Sequence, residues 1–246
     1  MNVRESYGRY PAITQPVRSR TFGPHGWLVL ETVALASERG SKRSRVLFHT
    51  FLTLFEKTIP CASCRSSFGM KLLDYPAFNN SLPTRFVFDI HSQVNKETGN
   101  QGITFSEALR SHYFPCTFLV FWRSLVYYLG FFMISCGDTS ICGGWARELL
   151  LSIADILDEI REPSPVEQAV AARFRESIPG RPGDVNVKGL HRLFVVMYQV
   201  ATRSGDRPPR SLQLTHFVRV LERKLQYSIP YRLYQRAKGQ KKTKNH

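Results

Sequence analysis

The sequence predicts an all-α protein: an N-terminal four-helix bundle with a short fifth helix, followed by a second, mostly helical domain. Three observations carry this. Apolar residues recur every three to four positions in one segment after another, the period of a helix with one buried face. Thr104-Phe105-Ser106-Glu107 and Ser164-Pro165-Val166-Glu167 have the spacing of helix-opening capping boxes. The first half shows no apolar/polar alternation of the kind a half-buried strand needs.

The elements follow in order. Residues 1–20 read as a flexible basic arm. In Phe22–Ala36, Trp27, Leu30 and Ala34 form one apolar face. Gly40 and the Lys42/Arg43/Arg45 cluster read as a loop. In Val46–Thr58, Leu47, Phe51, Leu54 and Phe55 mark a second amphipathic helix, which runs into Pro60. A third helix opens at Cys61-Ala62-Ser63-Cys64 and buries Cys64, Phe68 and Leu72. Pro76, Asn79, Asn80 and Pro83 signal a connection. A fourth helix spans Arg85–Lys96 on Phe86, Ile90 and Val94, with Gly99 and Gly102 behind it. Thr104 opens the fifth. Further helices are expected over Thr117–Met133, Trp145–Ile160, from Ser164 onward, Leu190–Ala201 and Leu212–Tyr227, with a loop at Pro179–Asp184. These segments divide into a first domain over 21–115, a second over 116–237, and a basic, disordered tail over 238–246.

With 246 residues, 43% of them apolar, the chain can bury a core and is not a disordered sequence. A net charge of +15 favours nucleic acid, anionic lipid, acidic proteins or anionic cofactors as partners, without choosing among them. The N-terminus has no apolar stretch of signal-peptide length. Thr117–Ser135 has the length of a membrane span, but Arg123 and Gly130 within it favour a buried amphipathic helix, and no membrane partner is expected. Five cysteines allow at most two internal disulfides, too few for a disulfide scaffold and compatible with redox chemistry.

The chain is organised around Lys57-Thr58-Ile59-Pro60-Cys61-Ala62-Ser63-Cys64. Two cysteines three apart can share one side of a helical turn and close into a disulfide. Pro60 suits a helix N-terminus, whose partial positive charge stabilises a thiolate. Lys57 and Arg65 add positive charge nearby. Alone, the motif reads equally well as half of a zinc site or as a pair of inert core thiols.

Three motifs in register go further. Trp27-x-x-Leu30-Glu31, Pro60-Cys61-Ala62-Ser63-Cys64 and His91-Ser92-Gln93-Val94-Asn95, with Gly99 behind, resemble the Erv/ALR family of flavin-linked sulfhydryl oxidases. The resemblance covers about residues 20–115. It implies a four-helix bundle with a short fifth helix, holding FAD at its mouth and forming a homodimer. It also implies that Cys64 is the sulfur beside the flavin and Cys61 the one that exchanges with substrate thiols. Substrates would be protein thiols or a thioredoxin-like dithiol carrier, O2 the electron acceptor and H2O2 the product. Residues expected at the cofactor are Gly23, Trp27, Glu31, Lys57, Phe86, His91, Val94, Asn95 and Lys96. Lys57 and Lys96 suit the anionic pyrophosphate. No Gly-x-Gly-x-x-Gly turn is present, so the site is not of the Rossmann type.

The chain departs from the family at Glu31, where a His is usual, at Ser92, where an Asn is usual, and at Phe86, near the place of a Trp whose stacking role it is expected to keep. No cysteine lies between Cys64 and Cys116, so the family's additional structural disulfide is missing. Outside this context Trp27 and His91 read as core residues, Asn95 as a helix cap and Glu31 as a salt-bridged carboxylate. Cys136 and Cys142 are candidates for a shuttle disulfide feeding Cys61, or for a structural bridge or reduced thiols; Cys116 reads as a buried free thiol. Viral sulfhydryl oxidases carry similar extra domains. That resemblance suggests the host cytoplasm or the virion of a large DNA virus, with the mitochondrial intermembrane space second. Two rivals remain: a nucleic-acid-binding or virion-packing protein resting on the charge and the Lys238-Gly239-Gln240-Lys241-Lys242 tail, and a zinc module for which Cys61, Cys64 and His91 give three of four ligands.

Overall fold

The computed structural model describes residues 13, 17–74, 82–109, 118–136, 139–202 and 219–220. Among them the protein is all-α, as the sequence predicts. The helices are α1 (Ser19–Glu38), α2 (Lys42–Thr58), α3 (Ala62–Asp74), α4 (Pro83–Glu97), α5 (Phe105–Ala108), α6 (Phe118–Ser135), α7 (Thr139–Asp158), α8 (Pro165–Ser177) and α9 (Val187–Thr202), with a 3-10 turn at Pro182–Asp184. Extended pairing among the described residues is limited to two isolated bridges, Ile13 with Cys136 and Gly40 with Ile160.

The predicted faces are the buried ones. Leu30 and Ala34 of α1, Phe51, Leu54 and Phe55 of α2, Phe68 of α3, and Phe86 and Ile90 of α4 all lie in the core. Both capping boxes form: Thr104 and Ser164 each accept from the N–H three residues on, while Glu107 and Glu167 reach back. The fourth helix begins at Pro83, ahead of the expected Arg85, because Glu38 of α1 caps it by accepting from the Thr84 N–H at 2.7 Å and from its hydroxyl.

Two expected loops are helical. Lys42, Arg43 and Arg45 form the first turn of α2, where positive charge opposes the helix dipole. The Ser41 hydroxyl compensates by accepting from the Arg43 N–H at 3.1 Å, and Arg43 pairs with Glu159 at 3.5 Å. Likewise α7 starts at Thr139, ahead of the expected Trp145, and takes in Cys142. Gly143 makes this close packing feasible, since a Cβ there would lie 2.1 Å from the Pro182 carbonyl oxygen. The predicted helix over Leu212–Tyr227 is described only at residues 219–220, which are helical; Cys116 and the 238–246 tail lie outside the described residues.

One hydrophobic cluster runs from Val17 to Met197. The expected domain boundary falls after residue 115, yet α6 packs along α1 and α7 along α2, so helices from both sides share this core. Close approach is built in: a Cβ on Gly26 of α1 would sit 3.2 Å from the Tyr128 ring of α6. Within the first half, α1 also packs against α4 and α2, and α3 rests on α2. Among the described residues no helix is long and apolar enough to cross a membrane.

Candidate redox site

Cys61 and Cys64 are joined in a disulfide, their Cα atoms 5.3 Å apart. Cys61 occupies the N-cap position of α3: its carbonyl accepts the first helical hydrogen bond, from the Arg65 N–H at 2.9 Å. Its Sγ accepts from the Cys64 N–H at 3.2 Å, the place a Ser or Asp side chain takes at a helix start. The Ser63 hydroxyl lies 3.3 Å from the same sulfur. Pro60 stands one step outside the cap, where its carbonyl accepts from the Val17 N–H at 3.0 Å. Cys61 is 9% exposed and Cys64 is half-buried, so the second sulfur is the more open of the two.

Arg65 follows directly. Its side chain is buried and donates from Nη2 to the Ile59 carbonyl at 3.0 Å, tying the chain before the disulfide to the helix after it. Sequence reading counted Arg65 only as nearby charge; a buried anchor has no signature in composition. From the other half of the molecule, the Tyr128 hydroxyl meets the Thr58 hydroxyl at 3.2 Å and donates to the Phe55 carbonyl at 3.3 Å. The Tyr128 ring stacks on Phe55 at 4.8 Å. Burial pushes the Tyr128 phenol far above its ordinary pKa, so it stays a neutral donor at the end of α2.

A second cluster forms where α1 meets α4. Trp27 and Glu31 are four apart on α1 and share a face. Trp27 stacks on His91 with centroids 4.0 Å apart and planes 9° apart, and His91 Nδ1 lies 3.1 Å from Glu31 Oε1. Glu31 is buried and sits against the imidazole, in a place where the expected alternative was a surface salt bridge. Val94 packs against the core and Asn95 is half-buried on the same helix as His91. Gly23, in the first turns of α1, faces open space where a Cβ would stand.

Three further expected cofactor residues lie on α2 and α4. Phe86, expected to stack on the cofactor, is 2% exposed and lies in the core face of α4. Lys57 lies 3.9 Å from Glu56 and is partly neutralised there. Lys96 is exposed at the end of α4. Cys136 and Cys142 pair with Cα atoms 6.4 Å apart, and both are buried. No group of three His, Cys, Asp or Glu among the described residues is arranged to hold a metal ion, and Cys61, Cys64 and His91 form none. Comparison with protein-family models, with curated proteins and with solved structures finds no match to this chain.

Proposed function

We propose that this chain is a flavin-linked sulfhydryl oxidase of the Erv/ALR type, which forms disulfides in substrate proteins. The observation that carries the reading is the Cys61–Cys64 disulfide at the start of α3, in a chain that also stacks Trp27 on His91. FAD suits the residues present: a half-buried indole–imidazole stack, a half-buried Asn95 and an open Gly23 offer apolar faces and polar edges to a flavin nucleotide. Trp27, His91, Val94 and Asn95 would hold it, with Glu31 fixing the orientation of His91. When bound, FAD accepts two electrons from a dithiol and passes them to O2.

The chain's own part is thiol–disulfide exchange. A substrate thiolate attacks Cys61 Sγ, the Cys61–Cys64 bond breaks, and Cys64 leaves as a thiolate. The substrate's second thiolate then attacks its own sulfur in the mixed disulfide and frees Cys61 as a thiolate. The Cys64 N–H and the α3 N-terminus stabilise that leaving group, and a better-stabilised thiolate leaves faster. Two substrate thiols become one disulfide, two protons are released, and Cys61 and Cys64 are reduced. Overall, two thiols and O2 give one disulfide and H2O2. A homodimer of such chains is part of the proposal.

The test is the absorption spectrum of the purified chain together with oxygen uptake on a dithiol. A yellow protein that loses oxidation but keeps its flavin in Cys64→Ser supports the reading. A colourless protein that oxidises no thiols overturns it. A second reading rests on the +15 charge and the exposed Lys42, Arg45 and His49 of α2: a nucleic-acid-binding protein, which a colourless chain that retards DNA or RNA would favour.

A further inference from the structure

The arm expected over residues 1–20 is anchored at two described points. Val17 is 1% exposed, and its N–H donates to the Pro60 carbonyl at 3.0 Å. Pro60 directly precedes Cys61, so this bond holds the arm beside the disulfide. Ile13 packs against the core and pairs with Cys136 in an isolated antiparallel bridge. Four residues of chain span at most ~14 Å, so the two anchors, at the end of α6 and just before α3, are joined by one short crossing. Each anchor is at or next to a cysteine of a different disulfide.

The sulfur beside this arm is the one that has to be reached. Cys61 is 9% exposed and Cys64 is the more open, yet the exchange assigned above begins at Cys61 Sγ. A disulfide reacts only as fast as a thiolate gains access to the sulfur under attack. Among the described residues the arm is held by a bridge and by a backbone bond outside any helix. Segments held by few contacts open at a lower free energy than the whole fold.

We propose that the stretch from Ile13 to Val17 is a strap on the redox site: while Val17 is seated, Cys61 is closed to thiols, and local release of the strap admits them. This rests on the reading of Cys61 as the sulfur that substrate thiols attack. In the released state a thiolate attacks Cys61 Sγ, the Cys61–Cys64 bond breaks and Cys64 leaves as a thiolate. The second thiolate of the same dithiol then closes its own disulfide and frees Cys61. The strap takes no part in these bonds and sets how often they begin.

The experiment reduces the full, oxidised chain with dithiothreitol and follows loss of the Cys61–Cys64 bond by rapid alkylation and peptide mass. It needs no flavin, so a colourless protein would overturn the oxidase reading and leave this test in force. Val17→Ala removes buried methyl groups from the seated strap and is expected to speed reduction about tenfold. Val170→Ala makes the same change at a buried position of α8, which packs on α7 and α9, and should leave the rate unchanged. In the unmodified chain the Val17 N–H should exchange with deuterium faster than that of Phe51 in the core of α2, because release of the strap is local. Should Val17→Ala not fold, the exchange comparison decides the matter. Equal reduction rates for Val17→Ala and the unmodified chain, the same acceleration in Val170→Ala, or a Val17 N–H as protected as that of Phe51 overturns the proposal.

Discussion

The Cys64 N–H donates to Cys61 Sγ across 3.2 Å, from the third residue of α3 to the sulfur at its N-cap. The contact persists when the disulfide opens if the helix start keeps its shape, and it then stabilises a thiolate on Cys61 alongside the helix dipole. In Cys64→Ser, where Cys61 titrates alone and the donating N–H remains, iodoacetamide alkylation should show a pH midpoint below the ~8.5 of a free thiol. A midpoint at or above that value would show that the helix start does not activate Cys61.

Arg65 supports the same sulfur through the backbone. Its guanidinium is buried and bonded to the Ile59 carbonyl, two residues before Cys61. Arg65→Ala is expected to cost ~1–3 kcal/mol in chemical denaturation, because it removes a charged donor from a buried carbonyl. It should also raise the Cys61 midpoint. Arg65→Lys keeps the charge but not the fork, so it should restore the midpoint more fully than the stability.

What the sequence makes legible here is local. The periodic faces of α1 to α4, and the capping boxes at Thr104 and Ser164, were readable because their cause lies within a few residues. The basic first turn of α2 was not, since Ser41 and Glu159 override an unfavourable charge pattern from 118 residues apart. The packing of α6 on α1, and the Tyr128 contacts behind Cys61, are long-range pairings that leave no period in the chain. For the site, the meeting of Trp27, Glu31 and His91 between α1 and α4 is a long-range contact that the motifs did not specify, while Phe86 lies on the apolar face of α4 that the period marks.

Glu31 is 5% exposed and faces His91 at 3.1 Å. Removing the imidazole takes one partner from a buried carboxylate, whereas Gln at position 31 keeps a neutral polar partner for His91. His91→Ala should therefore lose ~1–3 kcal/mol by denaturant unfolding, and more than Glu31→Gln loses. Both variants should weaken flavin retention on gel filtration, because His91→Ala removes the ring that stacks on Trp27 and Glu31→Gln loosens its hold. Equal stability of His91→Ala and the unmodified chain would remove Glu31–His91 from the structural account.

Acid should weaken the contact between the α1–α2 turn and α8. The hydrogen bond from Arg39, chiefly, holds the Glu167 carboxyl down from 4.5 to about 2. A carboxylate whose pKa is depressed in the folded state contributes stability above its unfolded pKa and loses it as the pH falls toward the folded one. The contribution is therefore complete above about pH 4.5 and disappears on the way to about pH 2. Glu167→Gln retains the capping box but not the charge, so it should flatten the stability profile in that window and cost ~1 kcal/mol at neutral pH. Denaturant midpoints measured across that pH range check both.

Cys136 and Cys142 separate two roles that the sequence left open. A shuttle must meet both a substrate and Cys61; Cys136 is 8% exposed, close to the 9% of Cys61, and Cys142 is fully enclosed. The bond joins the end of α6 to the first turn of α7, and Ile13 pairs with the Cys136 backbone beside it. A clamp closing so short a loop is worth ~2 kcal/mol, chiefly through the entropy it removes from the unfolded chain. The double variant Cys136→Ser/Cys142→Ser should thus unfold at lower denaturant while retaining turnover on a small dithiol and on a reduced protein alike. Loss of turnover on the protein substrate alone, with the small dithiol unaffected, would mark the pair as an electron relay and require the α6–α7 junction to open during the cycle.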